Sequence, residues 1–304
     1  MKKSIAMIVA LLMMFSSIGI AAANQKDRPA ELPIKVLYNA RQIASDVHPE
    51  VKSGVVFVPF RAVADALGAQ LTVTPDWKTI TFVRGDRRVS ITLGSRTAVV
   101  NGEKKTLPAA PYATNGRTMV PTRFVSEQLG ETVEWDPLSR YVWIGSQEIP
   151  TVEEKGIKQK PIEEVSQYFV DAEHLLKDSM GVPYTGYYEL TVDDLPVRIG
   201  DYVYYSVGTT EVNGILGFTL RAKKTPNIFY VTSSLRPKFR YPVKPLDEKH
   251  ADQTMTSVYR IQESSDEIFR GDKDYMKFKL SDALYIGFDD GNDALVLLKN
   301  PFRG

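Results

Sequence analysis

The chain has 304 residues, of which 43% are hydrophobic and 25% charged, a globular composition that allows about two domains. Its 38 basic and 37 acidic residues leave a formal net charge of +1, so no charge excess favours nucleic acid or an anionic membrane as a partner. The lack of cysteine excludes disulfides, thiolate metal sites and a lipid anchor on an N-terminal cysteine.

The N-terminus has the pattern of a secretory signal peptide. Lys2 and Lys3 precede an apolar stretch at residues 5–15, and small residues up to Ala23 precede a polar segment. The apolar stretch is shorter than a membrane span. We therefore expect residues 1–23 to be cleaved off rather than retained as an anchor, and we expect no membrane span in the mature chain.

Two segments of the chain match each other at an offset of 62 residues. The matching positions are Val58, Pro59, Arg61, Val63, Leu67 and Gly68 in the first copy and Val120, Pro121, Arg123, Val125, Leu129 and Gly130 in the second. Asn39 with Asn101 and Pro49 with Pro111 keep the same offset. The repeating unit is therefore about as long as the offset itself.

Each copy predicts a short helix between its proline and its glycine, because proline suits the first helical turn and glycine the left-handed end. The valine and leucine four residues apart share one helix face, which must be buried against a sheet. Strands are predicted in the first copy at 34–38, 41–47, 55–58, 69–73, 79–83 and 87–93. The unit is α+β, with one helix on a mainly antiparallel sheet.

A basic residue in the first helical turn opposes the helix dipole. Arg61 is followed four residues later by Asp65, and Arg123 is followed by Glu127. We expect a helical ion pair in both copies, and the alternative is a repeated contact with an anionic ligand.

The pattern V-P-x-R-x-V-x-x-x-L-G, preceded by Asn101-Gly102 and followed by Trp135-Asp136 in the second copy, resembles the copper amine oxidase N-terminal-like or stalk domain. That domain is abundant in secreted proteins of Gram-positive spore-forming bacteria. The resemblance covers residues 34–145 and implies a projecting module, separate from any catalytic domain. The first copy departs from the pattern at Asn39-Ala40 and Val73-Thr74.

Oxidase activity does not follow from this resemblance. The oxidase reaction needs three histidine ligands and a modified tyrosine, whereas His48, His174 and His250 lack the spacing of a metal site. No phosphate-binding loop or nucleophile elbow is present. We predict no catalytic, cofactor-binding or metal-binding residues, and no cofactor.

The domain organisation predicted beyond the signal peptide is a stalk domain at 32–148, a polar linker at 149–160 and a β-rich domain at 161–304. An amphipathic helix is expected at 161–177, because apolar residues recur at helical spacing. Strands are predicted at 187–192, 197–199, 202–207, 215–221, 228–231, 257–262, 275–280, 283–288 and 294–298, with a long loop at 235–253. The predicted fold is α+β: a tandem helix-on-antiparallel-sheet stalk repeat, then a β-rich domain with one N-terminal helix.

Tyrosines are the candidate ligand contacts of the second half, since exposed rings stack on sugar faces. They are Tyr187, Tyr188, Tyr202, Tyr204 and Tyr205. The alternative is packing within the sheets, because tyrosine is also a good strand residue. The acidic run at 289–293 is interpreted as a hairpin turn rather than a calcium site.

We therefore expect a bacterial protein that is secreted or associated with the cell wall and is not an enzyme. Its stalk would present the β-rich domain to cell-wall polysaccharide or to another surface protein. The competing hypothesis is a secreted hydrolase in residues 161–304. Its carboxylates would come from Asp193, Asp194, Asp201, Asp289 and Asp290.

Overall fold

The computed structural model describes residues 33–212, 214–233 and 236–303. The predicted signal peptide lies outside the described residues. The fold is mostly β-sheet with few helices, as the α+β, β-rich prediction requires. None of the described helices is long and apolar enough to cross a membrane.

The first half consists of short strands. In Arg87–Thr92 buried residues alternate with more exposed ones, and Val89 and Ile91 face the core, whereas Tyr141–Ile144 is buried throughout. The strands are β1 (Lys35–Tyr38), β2 (Arg41–Gln42), β3 (Glu50–Lys52), β4 (Val55–Pro59), β5 (Gln70–Val73), β6 (Thr79–Arg84), β7 (Arg87–Thr92), β8 (Thr97–Val100), β9 (Glu103–Thr106), β10 (Tyr112–Thr114), β11 (Arg117–Pro121), β12 (Val133–Asp136) and β13 (Tyr141–Ile144). The predicted strand at 41–47 is wrong beyond Gln42. There Ser45 folds the chain locally by donating its hydroxyl to the carbonyl of Val47.

These strands form three sheets, with orders β12-β13-β1-β2, β10-β11-β4-β3 and β5-β6-β7-β8-β9. In the second sheet, residues 62 positions apart meet: Val58 pairs with Val120, and Tyr112 donates a hydrogen bond to Glu50 at 2.6 Å. In the first sheet, β1 runs parallel to β13. The beginning and the end of this half therefore lie side by side, which the mainly antiparallel prediction did not anticipate.

Both predicted helices are confirmed. They are α1 (Phe60–Leu67) and α2 (Thr122–Gln128), each preceded by the expected proline. Gly68 ends α1 in the left-handed region at φ 63°, where a residue without Cβ is favoured. Val63, Leu67, Val125 and Leu129 are all buried in one shared core.

The helical ion pair forms in one copy. The Nε of Arg123 lies 4.0 Å from a carboxylate oxygen of Glu127. In the other copy the guanidinium of Arg61 lies 5.8 Å from the ring centre of Phe60, and no ion pair with Asp65 occurs among the described residues.

The second half packs two sheets face to face. Its strands are β14 (Lys160–Pro161), β15 (Gly186–Leu190), β16 (Val197–Ile199), β17 (Tyr202–Val212), β18 (Ile215–Ala222), β19 (Asn227–Thr232), β20 (Lys238–Arg240), β21 (Glu248–Lys249), β22 (Met255–Arg260), β23 (Ala283–Asp289) and β24 (Leu295–Lys299). The strand orders of the two sheets are β14-β15-β24-β23-β19-β20 and β16-β17-β18-β22-β21. Phe218 and Tyr230 meet edge to face between the sheets at 6.5 Å.

The helix predicted at 161–177 is wrong as a single element. The segment contains α3 (Glu163–Ser166) and two short 3₁₀ helices, Gln167–Phe169 and Glu173–Leu176, separated by a turn at Asp171 with φ 57°. The break follows a Tyr-Phe-Val run of weak helix propensity. Val165 and Phe169 are nevertheless buried against the six-stranded sheet, so the apolar pattern correctly predicted the buried face.

Two further predictions for this half are wrong. Residues 275–280 do not form a strand but a 3₁₀ turn, Tyr275–Lys277, in which Asp272 and Asp274 hold the backbone locally. The predicted loop at 235–253 contains β20 and β21, and the prolines around β20 are tolerated because it is an edge strand. An additional helix, α4 (Ser265–Arg270), was not predicted.

The segment predicted as a linker is packed against the second half. Ile149 and Val152 are buried, and Thr151 forms a bridge with Arg198. The residues that the structure describes form one compact unit.

The buried face of α1 yields the first prediction. Leu67→Ala should lower the free energy of unfolding by about 2–5 kcal/mol, because it removes buried methyl groups and leaves a cavity. Chemical denaturation measures the change. Arg61→Ala, on the exposed face of the same helix, is the matched control and should change the stability little; equal losses in both variants would contradict the assignment of the buried face.

Candidate functional site

The five candidate tyrosines do not form one exposed surface. Tyr187 and Tyr204 are fully buried, and their hydroxyls donate hydrogen bonds to Glu164 and Asp290. Burial raises the pKa of Tyr204 well above its usual value. The phenol of Tyr204 therefore stays protonated and acts as the donor to the Asp290 carboxylate.

The other three rings lie in separate places. Tyr188 donates to Glu153 at 3.0 Å, and Tyr202 stacks on Tyr204 with ring centres 6.0 Å apart. Tyr205 lies at the contact between the two halves, where its backbone carbonyl accepts a hydrogen bond from Tyr141 at 2.7 Å. The packing alternative thus describes the observed environment of most of these rings.

The carboxylates of the hydrolase hypothesis fall into two groups. Asp201, Asp289 and Asp290 lie near Tyr202, whose pKa is raised by burial and by these carboxylates, whereas Asp193 lies beside Lys35. Asp193 and Asp201 have side chains that are 71% and 83% exposed, while Asp194 caps a 3₁₀ turn through Thr191. Asp290 is the exception, because burial raises the pKa of its carboxyl to about 6 against the hydrogen bond from Tyr204, which lowers it. No group of three His, Cys, Asp or Glu residues able to hold a metal ion occurs in the part of the chain that the structure describes.

A cluster of buried charged and aromatic side chains lies between the two halves. We term four buried residues of β1 and β13 the docking face: Lys35, Leu37, Tyr141 and Trp143. In the parallel register of these strands, Lys35 pairs with Tyr141 and Leu37 pairs with Trp143. Leu37, Tyr141 and Trp143 pack with Val203 of β17. Apolar packing therefore joins the first half to the second.

Arg221 of β18 is the polar centre of this contact and is only 5% exposed. Its guanidinium donates to the carboxylates of Asp136, in the first half, and of Asp252, at 2.5 Å. It also donates to the hydroxyls of Ser139 at 2.7 Å and Thr254 at 2.9 Å. A buried guanidinium with this many acceptors has its desolvation cost offset by charge-assisted hydrogen bonds.

Lys35 is the second buried cation of the docking face. Its Nζ donates to the backbone carbonyl of Val192 and lies 3.9 Å from Asp193, so it also joins the halves. Burial lowers the pKa of Lys35 to about 8, although the Asp193 carboxylate acts in the opposite direction.

The positions 62 residues from the docking face have different chemistry. They are Thr79, Thr81, Thr97 and Val99, on β6 and β8, and we term them the open face. Thr79 and Thr81 form hydroxyl contacts across to the next strand, at 3.0 Å with Thr92 and 2.8 Å with Ser90. Aromatic residues in one copy and threonines in the other thus distinguish the docked surface from the surface left to solvent, a signal that was present in the sequence.

A cleft of about 750 Å³ opens at the far edge of the six-stranded sheet. Its walls come from the broken helical segment at 167–171, from the end of β19 with Arg236 and Lys238, and from residues 271–274 after α4. None of the five predicted carboxylates lines it. Cavities of this volume are typical of small-molecule sites.

A buried charge network forms the floor of this cleft. Arg240 and Asp266 are almost fully buried and form a bidentate pair, with distances of 2.9 and 2.6 Å. Lys238 donates to Asp266 at 3.3 Å and also to Asp272. The hydrogen bond from Lys238 is the main reason that the pKa of Asp272 is lowered, so Asp272 is an ionised acceptor. Lys238 and Arg240 were missed in the sequence because they lie in a segment interpreted as a loop, and Asp266 and Asp272 because they lie between two predicted strands.

Comparison with protein families assigns the first half. Residues 37–144 match the model of the family described as the copper amine oxidase N-terminal domain. The chain therefore carries a domain of this family, which confirms the resemblance of its repeated motif. The comparison with curated proteins gives no match.

The Arg221 contact yields a second prediction. Arg221→Met should cost about 3–5 kcal/mol in the free energy of unfolding, because it leaves the carboxylates at a buried site without their cation. Denaturant unfolding measures the change. The control is Arg117→Met, which removes a more exposed Arg–Asp pair with Asp46 and should change the stability little, because solvent screens such a pair. Similar costs at both sites would show that the buried contact does not hold the halves together.

Asp290 yields a prediction about pH. Its folded-state pKa of about 6 lies above the ordinary value of 3.8, so the ionised carboxylate destabilises the folded state. The contribution of Asp290 to stability is full below about pH 4 and should fall by about 3 kcal/mol as the pH rises through 6. Asp290→Asn, which keeps an acceptor for Tyr204, should remove this fall.

Unfolding free energies measured between pH 4 and 7 test the Asp290 prediction. Asp201→Asn, at a highly exposed carboxylate, is the control and should leave the fall in place. An unchanged pH profile in Asp290→Asn would contradict the assignment.

Proposed function

We propose that this protein is exported and acts outside the cell as a non-catalytic scaffold-and-binding protein. The first half would be a rigid support, and the β-rich second half would present a binding surface to cell-wall polysaccharide or to another surface protein. The pattern of residues 1–23 and the lack of cysteine support export. Membership of the first half in a family of accessory domains agrees with a supporting role.

We infer that the first half is a duplicated helix-on-sheet unit whose copies face each other about an approximate two-fold axis. The direct pairing of Val58 with Val120 supports this, because in a symmetric pair equivalent residues meet at the axis. Helices α1 and α2 share one core, as expected for such a pair. The parallel pairing of β1 with β13 closes the unit by joining its first strand to its last.

The observation that carries the proposal is the buried contact between the halves. Asp136 belongs to the motif of the second copy, and the corresponding position of the first copy is Thr74. Of these two positions, the one in the second copy thus offers a carboxylate to Arg221, and the same copy supplies the aromatic residues of the docking face, Tyr141 and Trp143. A contact of this kind fixes the binding half on its support, which is an advantage when the bound surface is large and immobile.

The hydrolase alternative would require two carboxylates facing one substrate. Asp201, Asp289 and Asp290 share the surroundings of Tyr202. Each of them has a partner of its own, namely Lys224, Asn227 and Tyr204 in that order. Since none of the five residues lines the cleft described above, binding rather than hydrolysis is the role that we propose.

Wall binding is the direct test of this proposal. The chain from residue 24 onward should be retained on purified Gram-positive cell walls and eluted by denaturant, and it should release no sugar from them. The heat-denatured chain is the control for unspecific adsorption. Absence of retention would remove the binding role, and release of reducing sugar would favour the hydrolase.

The docking face yields a separate prediction. The double substitution Tyr141→Thr with Trp143→Thr introduces the residues found at positions 79 and 81, so it should separate the halves. We expect faster trypsin cleavage at Lys155, Lys158 and Lys160 while far-ultraviolet circular dichroism still reports folded sheets. Thr79→Ala with Thr81→Ala is the matched control on the open face and should leave cleavage unchanged; equal protection of both variants would contradict the docking role.

A further inference from the structure

We propose that the cleft at the edge of the six-stranded sheet binds a short stretch of an uncharged oligosaccharide. This inference rests on the proposed binding function and assigns it a site and a ligand chemistry. The cleft differs from the positions at which the sequence placed ligand contacts, since none of the five candidate tyrosines lines it.

The balance of charge in the cleft argues for an uncharged ligand. Three cations and three carboxylates line it: Arg236, Lys238, Lys273, Asp171, Asp272 and Asp274. Arg236 donates to Asp171 at 2.9 Å, and Lys238 donates to Asp272. A charged ligand would compete with these pairs, whereas sugar hydroxyls can both donate to the carboxylates and accept from the cations without separating them.

The remaining walls offer neutral polar groups beside apolar surface. Gln167 and Ser233 supply an amide and a hydroxyl, and Tyr168 supplies a half-buried ring. Val170 is 62% exposed at the same wall. A sugar ring has hydroxyls at its rim and C–H groups on its faces, so it matches a surface that mixes hydrogen-bonding groups with an aromatic ring and an aliphatic side chain.

The floor of the cleft is fixed before any ligand arrives. Lys238 is held by two carboxylates, and Asp266 is held in turn by Arg240, which is itself bound to the backbone carbonyls of Arg260 and Ile261. Such a network limits the movement of the polar groups that a ligand would meet, which reduces the entropic cost of binding.

The break in the predicted helix creates the opposite wall. At Asp171 the chain leaves the helical direction, and its carboxylate becomes the partner of Arg236. A continuous helix through 161–177 would carry residue 171 onward along the helix axis instead. The departure from regular helix therefore coincides with the cleft.

Titration calorimetry with the full mature chain tests this inference. The uncharged probes are the hexamers of β-1,4-linked N-acetylglucosamine and of β-1,4-linked glucose, and the charged probe is poly(glycerol phosphate). We expect an uncharged hexamer to bind with an affinity that does not change between 50 and 500 mM salt, because no ion pair forms with the ligand. Tyr168→Ala and Gln167→Ala should each weaken binding roughly fivefold to tenfold.

Tyr241→Ala is the matched control, because Tyr241 is 68% exposed and does not line the cleft. It should leave the affinity unchanged. All three variants should be folded at the temperature of the titration, as a cooperative thermal unfolding transition above it shows; some loss of stability is expected for Tyr168→Ala, because that ring packs against the core. Binding only of the charged polymer, equal losses in the Tyr168 and Tyr241 variants, or no binding of either hexamer would overturn the inference.

The same variants separate this inference from the proposed function. Retention on cell walls that is unaffected by Tyr168→Ala and Gln167→Ala would overturn the cleft and leave the binding function in place. Hexamer binding that depends on Tyr168, without any retention on walls, would support the cleft and contradict wall binding.

Discussion

The guanidinium of Arg221 is the interaction on which the arrangement of this protein depends. A cation that is only 5% exposed must be surrounded by acceptors, and its acceptors come from both halves, Asp136 from one and Asp252 from the other. If the halves separated, Arg221 would lose its hydrogen bonds to Asp136 and Ser139 together. The contact therefore constrains the orientation of the two halves as well as their position, since the planar guanidinium forms good hydrogen bonds in only a few geometries. The adjacent packing of Trp143 and Val203 supplies the non-directional part of the same contact.

The two copies of the repeated sequence have different surfaces. Their helices, prolines and terminal glycines serve one core and are constrained alike. Outside that core the copies diverge: Tyr141 and Trp143 are buried against the second half, whereas Thr79 and Thr81 at the corresponding positions are only half-buried. A threonine suits an exposed strand because it is β-branched and polar, whereas an aromatic ring at the same place needs a partner surface. The difference between copies thus carries more information about docking than the similarity does.

The cleft has its origin in two local departures from regularity. The helical segment breaks at Asp171. The edge strand β20, which lies in a proline-containing stretch, contributes Lys238 to the cleft and Arg240 to the buried charge network. Neither feature belongs to the repeated unit or to the contact between the halves. In the proposed function, support and recognition would therefore be carried by different parts of the chain, so that a ligand surface could change without loss of the scaffold.

The sequence by itself determined the helices of the first half, most strands of both halves and the family of the first half, because these depend on local periodicity, on proline and glycine, and on a repeated motif. Even within the broken segment it identified buried positions such as Phe169. Only the tertiary structure decided that β1 lies beside β13, that Arg221 donates to Asp136, and that Lys238 and Asp171 line the same cleft. These are contacts between residues far apart in the chain, and a single sequence contains no local pattern that specifies which distant charge or strand will be the partner.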